Sequence, residues 1–185
     1  MSIPATGVVR YSRFFSLRHV DTVLDYGAGT LRNALYLAGQ GFKVYAADVP
    51  EQVKVLQAHP GAGALAGILE VGDLMRSRLG VDLVLSTYVF NIIVTRAQRG
   101  CYLDNAVANL RPGGYFLLEV NSRRDEFECG STLHHYLGCD DKGKSYTHQE
   151  LDRLLVPYGF RRICHYYSSH ALAAVYRLAG SDVVT

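Results

Sequence analysis

Two acids and two glycines in the stretch 22–48, TVLDYGAGTLRNALYLAGQGFKVYAAD, have the spacing of a small-molecule site. Asp25 ends an apolar run, Gly27 and Gly29 follow at once, and Asp48 ends the next apolar run. Glycine lets a backbone turn sharply and come close to a ligand. A helix that starts just after such a turn offers unsatisfied N–H groups to a carboxylate. Each acid stands at the C-terminal end of its run, the edge at which open α/β sheets bind ligands. A strand-end acid bonded only to its own turn is the plainer reading of Asp25, but it leaves the neighbouring glycines unexplained. A dinucleotide fingerprint, G-x-G-x-x-G, needs a third glycine where this chain has Arg32.

Strands and helices must bring these groups to one edge. Leu31, Ala34, Leu35 and Ala38 recur at helical spacing, so a helix joins strands 22–26 and 43–48 in a βαβ unit. Pro50 opens a helix that His59-Pro60-Gly61 stops. Residues 61–67 are a connector, since no strand precedes that glycine cluster. Residues 68–71 and 82–87 are the third and fourth strands. A helix begins near Thr95, Arg111-Pro112-Gly113-Gly114 breaks the chain, and 115–120 is a fifth strand. Thr147 and Glu150 have capping-box spacing and start a helix. Runs 162–167 and 171–178 then make a hairpin. The expected fold is α/β, a three-layer Rossmann-like, mostly parallel seven-stranded sheet with an antiparallel C-terminal hairpin strand. One domain, 1–185, is expected. Residues 1–20 form an N-terminal segment that either packs on the sheet edge or acts as a lid with Arg10 or Tyr11 turned inward. Residues 121–146 form a long loop at the site's edge, of the kind that tends to be functional.

Composition narrows the classes. With 185 residues, 49% hydrophobic and 19% charged, the chain is a folded domain rather than a disordered one. Nineteen basic residues against 17 acidic ones give no electrostatic argument for nucleic acid. No apolar run approaches the roughly 20 residues of a membrane span, and the first residues lack a signal peptide's apolar core. A cytoplasmic protein is expected. The four cysteines form no C-x-x-C pair, so no metal site is expected, and Cys101 and Cys164 are read as reduced and partly buried.

The pattern D-Y-G-A-G-T resembles motif I of the class I S-adenosylmethionine-dependent methyltransferases. Asp48, Gly72-Asp73-Leu74, DLVLSTYVFNII and LRPGGYFLLEV resemble that family's later motifs, in the right order. GAGTLRNALYL and STYVFNII are most similar to the small tellurite-resistance type. The resemblance implies a class I methyltransferase fold with S-adenosylmethionine as cofactor. It places the cofactor against Asp25, Gly27, Gly29, Asp48 and Val49, with Asp73 and Leu74 at the adenine. Asp73 reads equally well as a helix N-cap. Ser86 and Thr87 are expected to line the reaction chamber, with Arg32 and Asn33 either beside the cofactor or capping the helix. Tyr88, Asn91 and His134 are the candidates for handling the acceptor, and Glu119 and Asn121 point to the same edge. One departure is Leu31, where a third glycine is usual; a branched side chain there is expected to narrow the pocket or shift the turn.

The reaction implied is methyl transfer to a small acceptor by in-line displacement, with positioning supplying roughly 7–11 kcal/mol of the barrier. A general base, worth about 10²–10⁴-fold, is needed only if the acceptor loses a proton. Two alternatives stand beside it. One is a cofactor-binding accessory protein without catalysis, motivated by Leu31. The other is an RNA methyltransferase, which requires Arg10, Arg13, Arg18, Arg123, Arg124, Arg161 and Arg162 to form one basic surface. A monomer and a homodimer are both compatible with the sequence.

Overall fold

The computed structural model describes residues 3–122 and 144–180. Helix α1 (Thr6–Leu17) leads into β1 (Thr22–Tyr26), α2 (Arg32–Gly39), β2 (Lys43–Asp48) and α3 (Pro50–Gln57). Next come β3 (Gly67–Glu70), the single-turn α4 (Leu74–Ser77), β4 (Val81–Thr87), α5 (Arg96–Asn109) and β5 (Leu110–Asn121). Helix α6 (His148–Leu155) and the hairpin β6 (Phe160–Tyr167) and β7 (Ala171–Leu178) close the chain. The strands form one sheet in the order β3-β2-β1-β4-β5-β7-β6. β1 to β5 pair in parallel, and β7 inserts antiparallel between β5 and β6. This is the seven-stranded three-layer sheet expected, with its antiparallel hairpin strand. No helix among the described residues is long and apolar enough to cross a membrane.

Period-two alternation divides the strands between two cores. Val23, Val44, Leu83, Leu85, Leu117 and Val175 pack against α1, α2 and α3. Leu24, Val84, Phe116, Leu118 and Tyr176 pack on the other face against α5 and α6. All seven residues of β4 are buried, as a central parallel strand covered on both faces requires. The helices expected to start at Thr95 and Thr147 both have capping boxes: each threonine accepts the N–H three residues on, and Gln98 and Glu150 reach back.

Three features differ from the sequence reading. Residues 6–17 form a helix on a sheet face, not a segment at its edge, because Val8, Ser12 and Phe15 are buried at helical spacing. Burying Phe15 alone contributes about 1.5–3 kcal/mol. The Arg111–Gly114 run does not precede β5 but lies inside it. Between the pairs Val81↔Leu110 and Leu83↔Tyr115, β4 advances two residues and β5 five. The surplus bulges out, which is where a strand tolerates Pro112 without its N–H. Cys101 is exposed rather than partly buried.

At the end of the sheet remote from the strand C-termini, Asp82 ties β4 to β1. Its Oδ2 accepts from the Asp21 N–H and Thr22 N–H at 2.8 Å each and from the Thr22 hydroxyl at 2.9 Å. Its Oδ1 faces the Arg111 guanidinium at 2.6 Å.

Candidate functional site

The glycine turn is strapped to the neighbouring strand. The Gly27 and Ala28 N–H groups both donate to the Ala47 carbonyl, at 2.8 and 3.1 Å. Gly27 has φ +89°, and a Cβ there would stand 2.3 Å from Val89 Cγ2, so glycine is required on both counts. Gly29, at φ +55°, faces open space and donates its N–H to Asp48 Oδ2 at 2.8 Å. Asp48 Oδ1 accepts the Val49 N–H, also at 2.8 Å. Each Asp48 oxygen therefore keeps lone-pair capacity for a ligand hydroxyl.

Leu31 takes the left-handed conformation, φ 60°, that a glycine there would adopt. Its N–H donates to Ala28 O, and its carbonyl accepts from the Leu35 N–H, so α2 starts normally. The side chain is fully buried in the core with Val23, Ala34 and Val44. Its side chain lies in the core and not within 4 Å of where a Cβ at Gly29 would stand. The backbone conformation costs about 1–2 kcal/mol, offset by roughly the same gain from burying a leucine.

Asp25 lies beneath this turn, fully buried, and neither carboxylate oxygen has a hydrogen-bond partner among the described residues. Burial pushes its pKa up to about 7. The Ala34 N–H opposes this without reaching hydrogen-bond geometry, the Asp48 charge adds to it, and the Arg32 guanidinium counters it. An uncompensated buried acid is costly, and a ligand cation is the natural remedy.

A second set of groups gathers where β4 and β5 end. Thr87 pairs with Glu119 across the two strands. Tyr88 follows at φ 60°, its N–H on the Glu119 carbonyl at 2.7 Å and its hydroxyl donating to Glu119 Oε1 at 3.1 Å. Burial, reinforced by Glu119, pushes the Tyr88 phenol up to about 12, with Arg32 opposing. Burial also raises the Glu119 carboxyl above its usual range, against the Gly7 N–H, Tyr88, Arg32 and His170. Asn33 is buried here too, accepting the Ala5 N–H and donating to the Thr87 hydroxyl, both at 2.8 Å.

A family model described as a methyltransferase domain matches residues 8–185. The chain belongs to that methyltransferase family. Its fold is the class I methyltransferase fold and its methyl donor is S-adenosylmethionine. No curated protein sequence matches it. Among solved structures, one from work on conversion of a disulfide bond into a thioacetal group during echinomycin biosynthesis is 19% identical, with TM-score 0.74 over 96% of this chain and 83% of that one. The Burkholderia thailandensis 1,6-didemethyltoxoflavin-N1-methyltransferase, with its substrate and S-adenosylhomocysteine, is 21% identical, TM-score 0.67, over 94% and 79%. Human N-acetylserotonin methyltransferase with S-adenosylmethionine is 19% identical, TM-score 0.74, over 94% and 52%.

The other residues singled out in the sequence are scattered around this methyltransferase's sheet edge. Val49 is 48% exposed beside Asp48. Asn91 is buried in a 3-10 turn after β4, and its Oδ1 has no partner among the described residues. Ser86 faces α5, where its hydroxyl accepts from the Tyr102 hydroxyl at 2.8 Å. Strand alternation puts Ser86 and Thr87 on opposite faces. Leu74 is fully buried in the core beside α5, and Asp73 turns to an ion pair with Arg76, half exposed. Asn121 is half-buried at the end of β5, its carbonyl accepting the Tyr146 N–H at 2.9 Å. Arg10 lies 4.0 Å over the Tyr166 ring, and Tyr11 neighbours Cys164 of β6. Both thus face the β6 side of the sheet. His134 falls outside the described residues, as do most of 121–146. Among the described residues no three His, Cys, Asp or Glu side chains are arranged to hold a metal ion. The sequence reading gave Glu119 and Asn33 only passing roles.

Proposed function

We propose that this methyltransferase acts on a small-molecule acceptor, with its donor held by Asp25, Gly27, Gly29, Asp48 and Val49. The observation that carries the donor site is the buried Asp25 carboxylate, without a hydrogen-bond partner among the described residues, under a glycine turn whose outer face is open at Gly29. Asp25 suits the donor's ammonium group, Gly29 gives backbone access, and Asp48 has lone pairs left for ribose hydroxyls. Bound there, S-adenosylmethionine supplies an activated methyl group and a good leaving group. The chain's task is to align the acceptor and exclude water. Tyr88 and Asn91, in the segment that follows β4 at the same edge of the sheet, are the residues we assign to orienting it.

Support for a small acceptor comes from the structural relatives named for one, toxoflavin and N-acetylserotonin methyltransferases. An RNA substrate is less favoured by the arginines. Arg162 is neutralised bidentately by Asp152, Arg10 lies on Tyr166 and Arg18 on Phe14. The accessory-protein reading loses its motive, since Leu31 leaves the turn intact. The GAGTLRNALYL and STYVFNII segments support kinship with the tellurite-resistance type, and we read residues 1–185 as one methyltransferase domain.

Two measurements test this. Calorimetry with S-adenosylhomocysteine is expected to show micromolar binding that Asp25→Ala weakens at least tenfold. Methyl-labelled S-adenosylmethionine offered with phenols, thiols, aromatic amines, tellurite and total RNA is expected to label a small molecule. Label in RNA alone sinks the small-acceptor reading.

A further inference from the structure

Helix α1 has no local cap: Ala5 at its N-cap offers no side-chain hydrogen bond. Its leading N–H groups are taken by the site. Ala5 N–H donates to Asn33 Oδ1 and Gly7 N–H to Glu119 Oε2, a residue 112 positions away, both at 2.8 Å. Gly7 is pressed close, since a Cβ there would stand 2.6 Å from Glu119 Oε2 and 2.7 Å from Ala173 Cβ.

A backbone N–H can only donate, so it fixes the polarity of what hangs from it. Burial works against ionisation of Glu119, but the Gly7 N–H at the positive end of α1 and the Arg32 guanidinium favour the carboxylate, and an ionised carboxylate can only accept. Its second oxygen is met by the Tyr88 hydroxyl at 3.1 Å, which must therefore be the donor. The phenol has one proton, and that proton is committed to Glu119. The left-handed backbone at Tyr88 is what brings this side chain to the Glu119 face, because a strand continuing from Thr87 would send it to the other. Non-glycine residues held at positive φ cluster at functional sites.

We propose that Glu119 is a positioning residue which takes the Tyr88 proton, so that Tyr88 meets the methyl acceptor only as a hydrogen-bond acceptor and the site favours molecules entering with an N–H or O–H donor. This rests on the methyl-transfer reading for the ligand that Tyr88 meets. Glutamine at 119 can still accept the Gly7 N–H but turns an NH2 donor towards the Tyr88 hydroxyl, so Glu119→Gln reverses that bond and releases the phenol proton.

The test uses the full chain labelled with 3-fluorotyrosine, whose lowered phenol pKa brings the titration into a range where the fold can be followed. The Tyr88 fluorine resonance is assigned by its loss in Tyr88→Phe. In Glu119→Gln its titration midpoint is expected to fall by at least one pH unit, while S-adenosylhomocysteine affinity stays within threefold of the parent. In the parent, phenol is expected to shift the Tyr88 resonance at fivefold or more lower concentration than anisole, which lacks the donor. That comparison is read in the parent and needs only the Tyr88→Phe spectrum for assignment, not a folded Glu119→Gln. An unmoved midpoint in Glu119→Gln, or equal responses to phenol and anisole, overturns the proposal. A parent that binds no S-adenosylhomocysteine instead overturns the methyl-donor reading, so the two failures are distinct.

Discussion

Asp48 closes the glycine turn from the neighbouring strand: its Oδ2 accepts the Gly29 N–H at 2.8 Å while its Oδ1 holds the Val49 N–H. Turn shape and ligand binding thus depend on one side chain. Asp48→Asn replaces one acceptor with a donor that faces an N–H group, so it is expected to loosen the turn almost as much as Asp48→Ala. Either substitution is expected to weaken S-adenosylhomocysteine binding at least tenfold in a calorimetric titration, or about 1.4 kcal/mol. Unchanged affinity removes Asp48 from the donor site.

Asp25 makes donor affinity depend on pH. Burial raises its pKa to about 7, so the free enzyme holds a neutral acid below that pH, whereas an ammonium ligand needs the carboxylate. Affinity for S-adenosylhomocysteine is expected to climb about tenfold per pH unit up to pH 7 and then level off. The stability effect has the opposite sign. A raised folded pKa favours the neutral acid, so this contribution is present at low pH and is lost as pH rises from the usual carboxylate range towards 7. Asp25→Asn is therefore expected to flatten the binding profile, weaken binding, and stabilise the ligand-free enzyme at pH 8. A variant that keeps the parent's pH-dependent affinity contradicts this account.

The frame of the proposed donor site was legible because its cues are local. A strand, a turn that needs positive φ at Gly27, a helix of period 3.6 and a second strand lie within residues 22–48, and both acids sit at strand ends. The acceptor half was not legible, because Gly7 meets Glu119 and Ala5 meets Asn33 only through the fold. Two signals were available and missed. Period-two alternation already sets Ser86 on the face opposite Thr87, and Val8, Tyr11, Ser12 and Phe15 have helical spacing that the polar Ser12 disguises. Asp73 shows the limit of motif likeness: a strand-end acid becomes an ion-pair partner once Arg76 stands one turn on.

Leu31 separates a core role from a cofactor role. Leu31→Gly relieves about 1–2 kcal/mol of backbone strain but vacates a fully buried leucine site, and leucine truncations cost about 2–5 kcal/mol. The net expectation is a loss of roughly 1–3 kcal/mol in urea unfolding. S-adenosylhomocysteine affinity, corrected to the folded fraction, is expected to change by less than threefold. A large gain in affinity instead means that the leucine does crowd the donor.

Asp82 governs the acid limb of stability from the far end of the sheet. Burial alone raises its pKa, but the Thr22 and Asp21 N–H groups, the Thr22 hydroxyl and Arg111 together hold it below the usual carboxylate range. A depressed folded pKa contributes stability above the unfolded value, and that contribution is lost as pH falls through the folded one. Asp82→Ala leaves two backbone N–H groups and a guanidinium without their acceptor, and is expected to cost about 2–4 kcal/mol at pH 7. The cost is expected to shrink as pH falls below the usual carboxylate range, where the unfolded chain takes up the proton first and the folded parent follows at lower pH. Donor affinity is expected to stay within twofold, since Asp82 lies at the opposite end of β4 from Thr87. Urea unfolding at pH 7 and pH 3, with parent and variant side by side, reads the sign directly: a penalty of equal size at both pH values rules out the carboxylate as its source.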